Sequence, residues 1–433
     1  MTTAQRLVAD YVFSGGAMIA NGAIDIDESG RIDAVGNDLS PTDAQTRSVG
    51  GLLMPGLVNA HAHTPMTLVR SAGDGLPLQQ WLTEGVWPRE AKMTPEDARA
   101  GMLLGSAEML LGGVTTSCEM YLFEDAIVDA VNQSMARLVI TPGIIAALAQ
   151  DGSLDERLDE VDRFHATNHD PNGRITVGFG PHSLYDLSPD QVAEIGQRAK
   201  RRDALVHIHL EETQTERSDV IERWTGQSAT QLLESAGLLD AKLLAAHGVW
   251  LSDSDQRLLA TAGAGVAHCP HSNLKLGSGV APIVDMLATG VRVCLGTDGP
   301  ASNDNLDLWE ELKLAPLLAR GTRLDPAALT ALQALEMATI GGAQAIGLDD
   351  VGDLRVGMWA DVVRVDLDNP AFTPGIVDDM VNNLVFAGSS RYVTDVWVAG
   401  TAVVAGGELL TIDIEQAIHD ARVRGQRLAA SGS

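Results

Sequence analysis

The chain has 433 residues, 45% of them hydrophobic, which supplies a sizeable core and excludes wholesale disorder. Acidic residues outnumber basic ones 58 to 30, and the resulting net charge of −28 excludes nucleic acids and anionic membranes as main partners. Three cysteines, Cys118, Cys269 and Cys294, with no CxxC pair, exclude a disulfide scaffold and a structural zinc ribbon.

The N-terminus has no basic start leading into an apolar run and a small-residue cleavage site. The longest apolar stretch, 138–149, is interrupted by Thr141, Pro142 and Gly143, so a soluble cytoplasmic protein is expected. The first fifty residues read as short strands, YVF, AMIA, AIDID and RIDAVG, separated by the hairpin signals SGG, NG and ESG. From 55 to 359, apolar β-branched runs alternate with helical stretches. The strand candidates are 57–63, 114–120, 136–143, 174–183, 204–212, 242–250, 264–272 and 291–298. Amphipathic segments such as 188–201, 227–236, 252–262 and 282–288 lie between them, and 73–112 forms the longest insert, mostly helical in composition. Strands alternating with helices imply parallel βαβ units, and eight of them imply an α/β protein with a (βα)8 TIM-type barrel. Strand-like alternation returns at 360–366 and 393–404, and 414–430 reads as one helix followed by a frayed SGS. The expected layout is a barrel over 55–359 with a small β-sandwich domain built from 1–54 and 360–433, the closing helix included.

Most of the eleven histidines fall within or at the ends of strand candidates, where a barrel gathers its catalytic groups. His61 and His63 are two apart on the first strand, so both point to one side and reach a common cation. An HxH pair is common by itself, and its weight comes from the rest of the set. His209 ends the fifth strand and supplies a third nitrogen. His207, two residues earlier on the same face and one layer deeper, is its rival. Glu212 follows past the strand end, within reach of a substrate above the metal. His247 ends the sixth strand and Asp298 the eighth, in LGTDGP, where a carboxylate is costly to bury unless paired or bound to a metal. Three imidazoles and a carboxylate suit one divalent ion, zinc foremost, with iron, manganese or nickel as the other choices.

MPGLVNAHAHT, HLEE, AAHGVW, HCPHSNLKLGSG and LGTDGPASN, in this order, resemble the amidohydrolase superfamily, in particular its mononuclear deaminase and chlorohydrolase branch and, within it, the methylthioadenosine/S-adenosylhomocysteine deaminases. The late VGMWADVVRVDLDNP and VTDVWVAG resemble the return strands of that family's small β-domain. The fourth strand end, GFGPHSLY, lacks the lysine that bridges two metals in the binuclear branch, which favours one metal. The resemblance implies His61, His63, His209 and Asp298 as ligands, His247 as the residue that holds the attacking water, Asp298 as acceptor of its proton, and Glu212 as proton donor to the ring nitrogen. It implies a hydrolytic deaminase of an aminated purine nucleoside, adenosine or 5'-methylthioadenosine in type, in which hydroxide supplied at the metal displaces ammonia. A triazine-type chlorohydrolase, or a guanine, 8-oxoguanine or pterin deaminase, is the alternative within the same superfamily.

For the substrate, the resemblance implies that His182 contacts the sugar and that Glu90 grips the ribose hydroxyls. Trp81, Trp87 and Leu76 are candidates to wall a purine. Ser302 and Asn303, just after Asp298, are candidates to position substrate or hold the aspartate. Family members that accept S-adenosylhomocysteine carry an arginine after the third strand. ITPGII has none, and Arg137 lies at that strand's start, so neutral nucleosides or bases are the expected ligands. His271 is expected to line the mouth and His268 to be core. His165, His169 and His419 are expected in solvent, and Cys118 and Cys294 buried and inert. Pairing of two barrels through helical faces is compatible with the sequence.

Overall fold

Short alternating runs at the start of the chain do become strands, and the chain's other end completes one of their two sheets. The computed structural model describes residues 3–42, 44–146, 154–224 and 226–430, so the end of the 138–149 apolar stretch and the terminal SGS lie outside the described residues. Gln5–Val8 pairs antiparallel with Ala23–Ile26 and parallel with Gln45–Ser48, and Ile32–Gly36 flanks Ala23–Ile26. Tyr11–Ser14 and Ala17–Ala20 form a hairpin whose turn residues, Gly15 and Gly16, both have positive φ, as the tight primed turn requires. This hairpin runs into a seven-stranded sheet through Leu52–Pro55, which pairs antiparallel with Val362–Val365. The sheet continues through Val393–Val398, Thr401–Ala405 and Glu408–Leu409. Leu7, Val12, Ile24, Leu53, Val362 and Trp397 are fully buried in one cluster with members from both sheets. Gly30 is where the two chain ends touch: its φ is +89°, and a Cβ there would sit 2.1 Å from the Ala399 carbonyl oxygen.

All eight central strand candidates are strands. Leu57–Ala62, Val114–Tyr121, Arg137–Ile144 and Ile175–Val177 form one parallel row, which Gly180–Pro181 extends along Arg137–Ile144. Leu205–Leu210, Lys242–His247, Gly265–His268 and Arg292–Leu295 form a second parallel row. Two isolated parallel bridges, Phe179 with Val206 and Ala62 with Asp298, connect the rows at their outer edges. Gly296 permits the second of these contacts, because a Cβ on it would lie within 3.0 Å of the His61 backbone.

Helices follow the strands with strong start signals. Ser188 with Gln191, and Ser252 with Asp255, form reciprocal capping boxes at Pro189–Arg202 and Asp253–Ala262, each cap stabilising its helix by about 1 kcal/mol. The long insert is helical as expected: Leu78–Gln80, a π-helical turn over Trp81–Val86, Trp87–Glu90, and then Pro95–Leu111. The closing helix, Ile414–Ala429, grouped by sequence with the chain-end strands, packs on the insert. Arg424 and Arg427 both reach Asp97, and Lys92 Nζ donates to the carbonyl of Ala430 at 2.8 Å. Arg137 stays at the start of its strand in a buried ion pair with Asp361, 2.8 Å away. No helix among the described residues is long and apolar enough to cross a membrane.

Candidate metal centre and active-site cavity

The period of a strand puts His61 and His63 on one side of the first central strand, and their rings lie 4.8 Å apart between centroids. His209, from the fifth strand, brings its Nε2 to 3.2 Å from His63 Nε2. Asp298 Oδ1 lies 3.3 Å from the Nε2 atoms of both His61 and His63. The ligand atoms of His61, His209 and His247 converge within 4.8 Å of one another, as do those of His61, His63 and Asp298. Three strand-end residues here carry positive φ: Glu211 (50°), His247 (73°) and Asp298 (62°). Such left-handed backbone costs a non-glycine residue on the order of 1–3 kcal/mol and is held by its surroundings at functional sites. Ser272 and Ser302 donate to Asp298 Oδ2 at 2.6 and 2.8 Å, which fixes the carboxylate with Oδ1 turned inward.

The donor set fits a cation. His63 Nδ1 lies 2.6 Å from the Met120 carbonyl and His209 Nδ1 lies 3.0 Å from the His182 carbonyl. A carbonyl only accepts, so both Nδ1 atoms carry a proton, and in the neutral form of each ring the Nε2 atom carries a lone pair. Two lone pairs 3.2 Å apart, with a carboxylate oxygen beside them, repel unless a positive charge sits among them. The spacing matches the roughly 3.3 Å between neighbouring nitrogens in a tetrahedral set at 2.0–2.1 Å from zinc. His61 Nε2 is fully buried and, among the described residues, has no hydrogen-bond partner of good geometry, only the Asp298 carboxylate 3.3 Å away. Burial pushes the pKa of His61 down to about 3 and those of His207 and His209 well below the usual value, keeping the rings in the neutral form that binds metals.

Above this centre is a cavity of about 500 Å³. His63, His209, His247 and Asp298 line one part of it and Glu212 another. Glu212 Oε2 is 3.8 Å from His247 Nε2, and Ser278 Oγ donates to Oε1 at 3.4 Å. Burial raises the Glu212 pKa, opposed by the charge of His247. His247 is anchored through Nδ1, 2.9 Å from Asn273 Oδ1. Trp81, Glu90 and His182 line the cavity, together with Met66, Leu78, Leu82, Trp87, Tyr121 and Tyr185, and no lysine or arginine lines it among the described residues. Burial and the neighbouring His63 push His182 down to about 4. Burial also raises the Glu90 pKa, against a hydrogen bond that the Tyr121 hydroxyl donates to its carboxyl.

Some expectations do not hold. Asn303 does not reach the cavity: its Nδ2 donates to Thr297 O at 2.7 Å and Glu311 Oε1 at 2.6 Å, because the short Pro300–Asn303 helix turns it away. Of the pair after Asp298, Ser302 is the one that acts on the site, by holding the aspartate. His271 does not line the mouth but pairs with Glu311 at 3.0 Å. Leu76 is outside the wall, and Leu78 and Leu82 take its place. His165 is buried and stacks on His169 at 4.4 Å, and His169 Nδ1 accepts the Val177 N–H at 3.0 Å, so neither is simply solvated. His268 is buried, and His207 lies one layer below the centre, 2.8 Å from His61 Nδ1. Sequence reasoning missed Tyr121, Ser272, Asn273 and Ser278. For Tyr121 the signal was available, since it directly follows the second strand candidate.

Residues 52–403 match the amidohydrolase family. The chain is 40% identical over 386 residues to a 5-methylthioadenosine/S-adenosylhomocysteine deaminase of Pelotomaculum thermopropionicum, covering 88% of each chain. It is 39% identical over 415 residues to a 5'-deoxyadenosine deaminase of Methanosarcina acetivorans, covering 95% of this chain and 94% of the other. Among solved structures, an adenosine deaminase from Xanthomonas campestris with bound zinc superposes with a TM-score of 0.91 at 34% identity over 99% of each chain.

Proposed function

The chain belongs to the amidohydrolase family and is a hydrolase acting on C–N bonds, and from this premise we propose that it deaminates a neutral adenine nucleoside, adenosine, 5'-deoxyadenosine or 5'-methylthioadenosine in type, with one divalent metal ion held by His61, His63, His209 and Asp298. The observation that carries the reading is the pair of facing Nε2 lone pairs at 3.2 Å beneath a cavity that also holds Glu212. We further propose that the two parallel rows form one closed (βα)8 barrel over 55–359, a reading supported by the two outer bridges. The chain-end sheets would then form a β-sandwich, which the shared buried cluster supports. Zinc is the ion we assign, on the chemistry of three imidazoles and a carboxylate.

A divalent ion held there lowers the pKa of water, so that hydroxide is available near neutral pH. The chain's own groups then have the following work. His247, fixed by Asn273, presents Nε2 to the attacking water and orients it. Asp298 accepts the proton that this water gives up. Glu212, whose raised pKa keeps a proton available, delivers it to the ring nitrogen beside the amino-bearing carbon. The water oxygen bonds to that carbon, the proton held by Asp298 passes to the amino nitrogen, the C–N bond breaks so that the amino group leaves as ammonia, and the oxygen's remaining proton returns to Glu212. Trp81 and Trp87 wall the base, His182 faces the sugar, and Glu90 accepts from the ribose hydroxyls. With no lysine or arginine on the cavity wall, a phosphate or the amino-acid carboxylate of S-adenosylhomocysteine meets no cation there, which favours the neutral nucleosides.

Metal analysis of the purified protein, combined with an ammonia-release screen over adenine nucleosides, free aminated bases and chlorotriazines, tests this reading. One equivalent of metal and fastest release from a neutral adenine nucleoside support it. Faster turnover of a free base or a chlorotriazine would overturn the substrate assignment.

A further inference from the structure

The three imidazoles assigned to the metal differ in what holds them. His63 and His209 each give their Nδ1 proton to a backbone carbonyl, of Met120 and His182, and no substitution can remove those acceptors. His61 has no carbonyl partner. Its Nδ1 meets the Nε2 of His207 at 2.8 Å, deep in the molecule, with both rings fully buried.

The direction of that hydrogen bond can be worked out from the far end. Thr141 Oγ1 is 2.9 Å from the Glu119 carbonyl, which only accepts, so the threonine hydroxyl proton is committed there. Thr141 Oγ1 is also 3.1 Å from His207 Nδ1, and with its proton committed it faces that nitrogen as an acceptor. His207 therefore carries its proton on Nδ1. The Cys118 sulfur, 3.6 Å away, is a weak second acceptor for it. His207 Nε2 is then the lone pair that receives the proton of His61 Nδ1, and His61 Nε2 is left as a lone pair aimed at Asp298 and the metal centre. Reversing the chain would put two lone pairs against each other at Thr141 and a proton on the nitrogen that has to bind the ion.

We infer that His207 is a positioning residue that locks His61 in its metal-binding tautomer, with Thr141 and the Glu119 carbonyl fixing His207 in turn. This rests on the assignment of His61 as a ligand. It settles the competition on the fifth strand by giving His209 and His207 different tasks. Residues that orient a ligating histidine contribute about 10- to 100-fold to metal affinity.

The test compares the wild-type chain with His207→Leu, His207→Gln and Thr141→Val, measuring zinc affinity by chelator competition and the visible spectrum of the cobalt-substituted protein. The expected result is a 10- to 100-fold weaker affinity for His207→Leu with a shifted cobalt spectrum. His207→Gln, whose side-chain oxygen can still accept from His61, recovers most of the affinity. Thr141→Val, which nearly keeps the side chain's shape but removes the acceptor, loses a smaller factor, and it carries the test where His207→Leu does not fold. Wild-type affinity and an unchanged spectrum in the folded variants overturn the inference while leaving the ligand assignment intact. A wild-type chain that binds no divalent ion overturns the ligand assignment itself and this inference with it.

Discussion

Glu212 and Glu90 are two carboxyls lining one cavity, and the proposed function gives them separate tasks. Glu212 is buried beside His247, and neither of the two ligand sets that converge on the metal centre includes it. Glu212→Gln should therefore lower kcat by about 100- to 10,000-fold while leaving metal content unchanged, read by ammonia release and metal analysis on the same preparation. Glu90 is held by the Tyr121 hydroxyl. Glu90→Ala should raise KM for ribonucleosides and change turnover of a 2',3'-dideoxy analogue little; equal loss on both substrates would contradict the ribose role. The five groups His61, His63, His209, His247 and Asp298 were legible in the sequence because strand alternation and strand-end position depend only on local chain geometry. Asn303 was not, because the turn after Asp298 sends its side chain to Glu311, a residue on the next helix. Ser272 and Asn273 reach the site from the short Pro270–Lys275 helix, which packs on the Pro300–Asn303 helix that follows Asp298.

At the scale of elements, the closing helix depends on one buried carboxylate. Burial alone would raise the pKa of Asp97, but hydrogen bonds from Arg427 and Arg424 hold it below the usual aspartate value of about 3.9. A depressed pKa means that this pairing contributes fully above the unfolded value and is lost as pH falls through the folded one. Protection of Ile414–Ala429 against hydrogen exchange should therefore stay constant from neutral pH down to about 4 and fall below it, after correction for intrinsic rates. Asp97→Asn should show reduced protection already at neutral pH, and a variant as protected as wild type would refute the latch. The sequence marks 414–430 as one helix and groups it with the chain-end strands, while the contact with the insert is visible only in the structure. Helix periodicity says that one face is covered and is silent about which element covers it.

For the whole molecule, the candidate metal centre joins strands that are far apart in the chain: the proposed ligands from the ends of the first, fifth and eighth central strands lie close together. An ion bound there stabilises the folded state by mass action, by about 4 kcal/mol at a thousand times its dissociation constant. Removing it with a chelator should lower Tm by several degrees, and adding zinc back should restore it; a melting curve indifferent to chelator would count against a bound ion. The order of elements, the α/β alternation and the return of the chain's end to its beginning were set by the sequence itself, since they follow from hydrophobic period and turn residues, and the proposed ligands came from strand-end position together with the resemblance to the amidohydrolases. Which histidine nitrogen faces the centre, why His207 lies beneath the site and not in it, what wall surrounds the substrate and where the last helix rests were decided only by tertiary structure. Each of these depends on a partner tens or hundreds of residues away, and hydrogen bonds that join such distant groups leave no periodic trace along the chain.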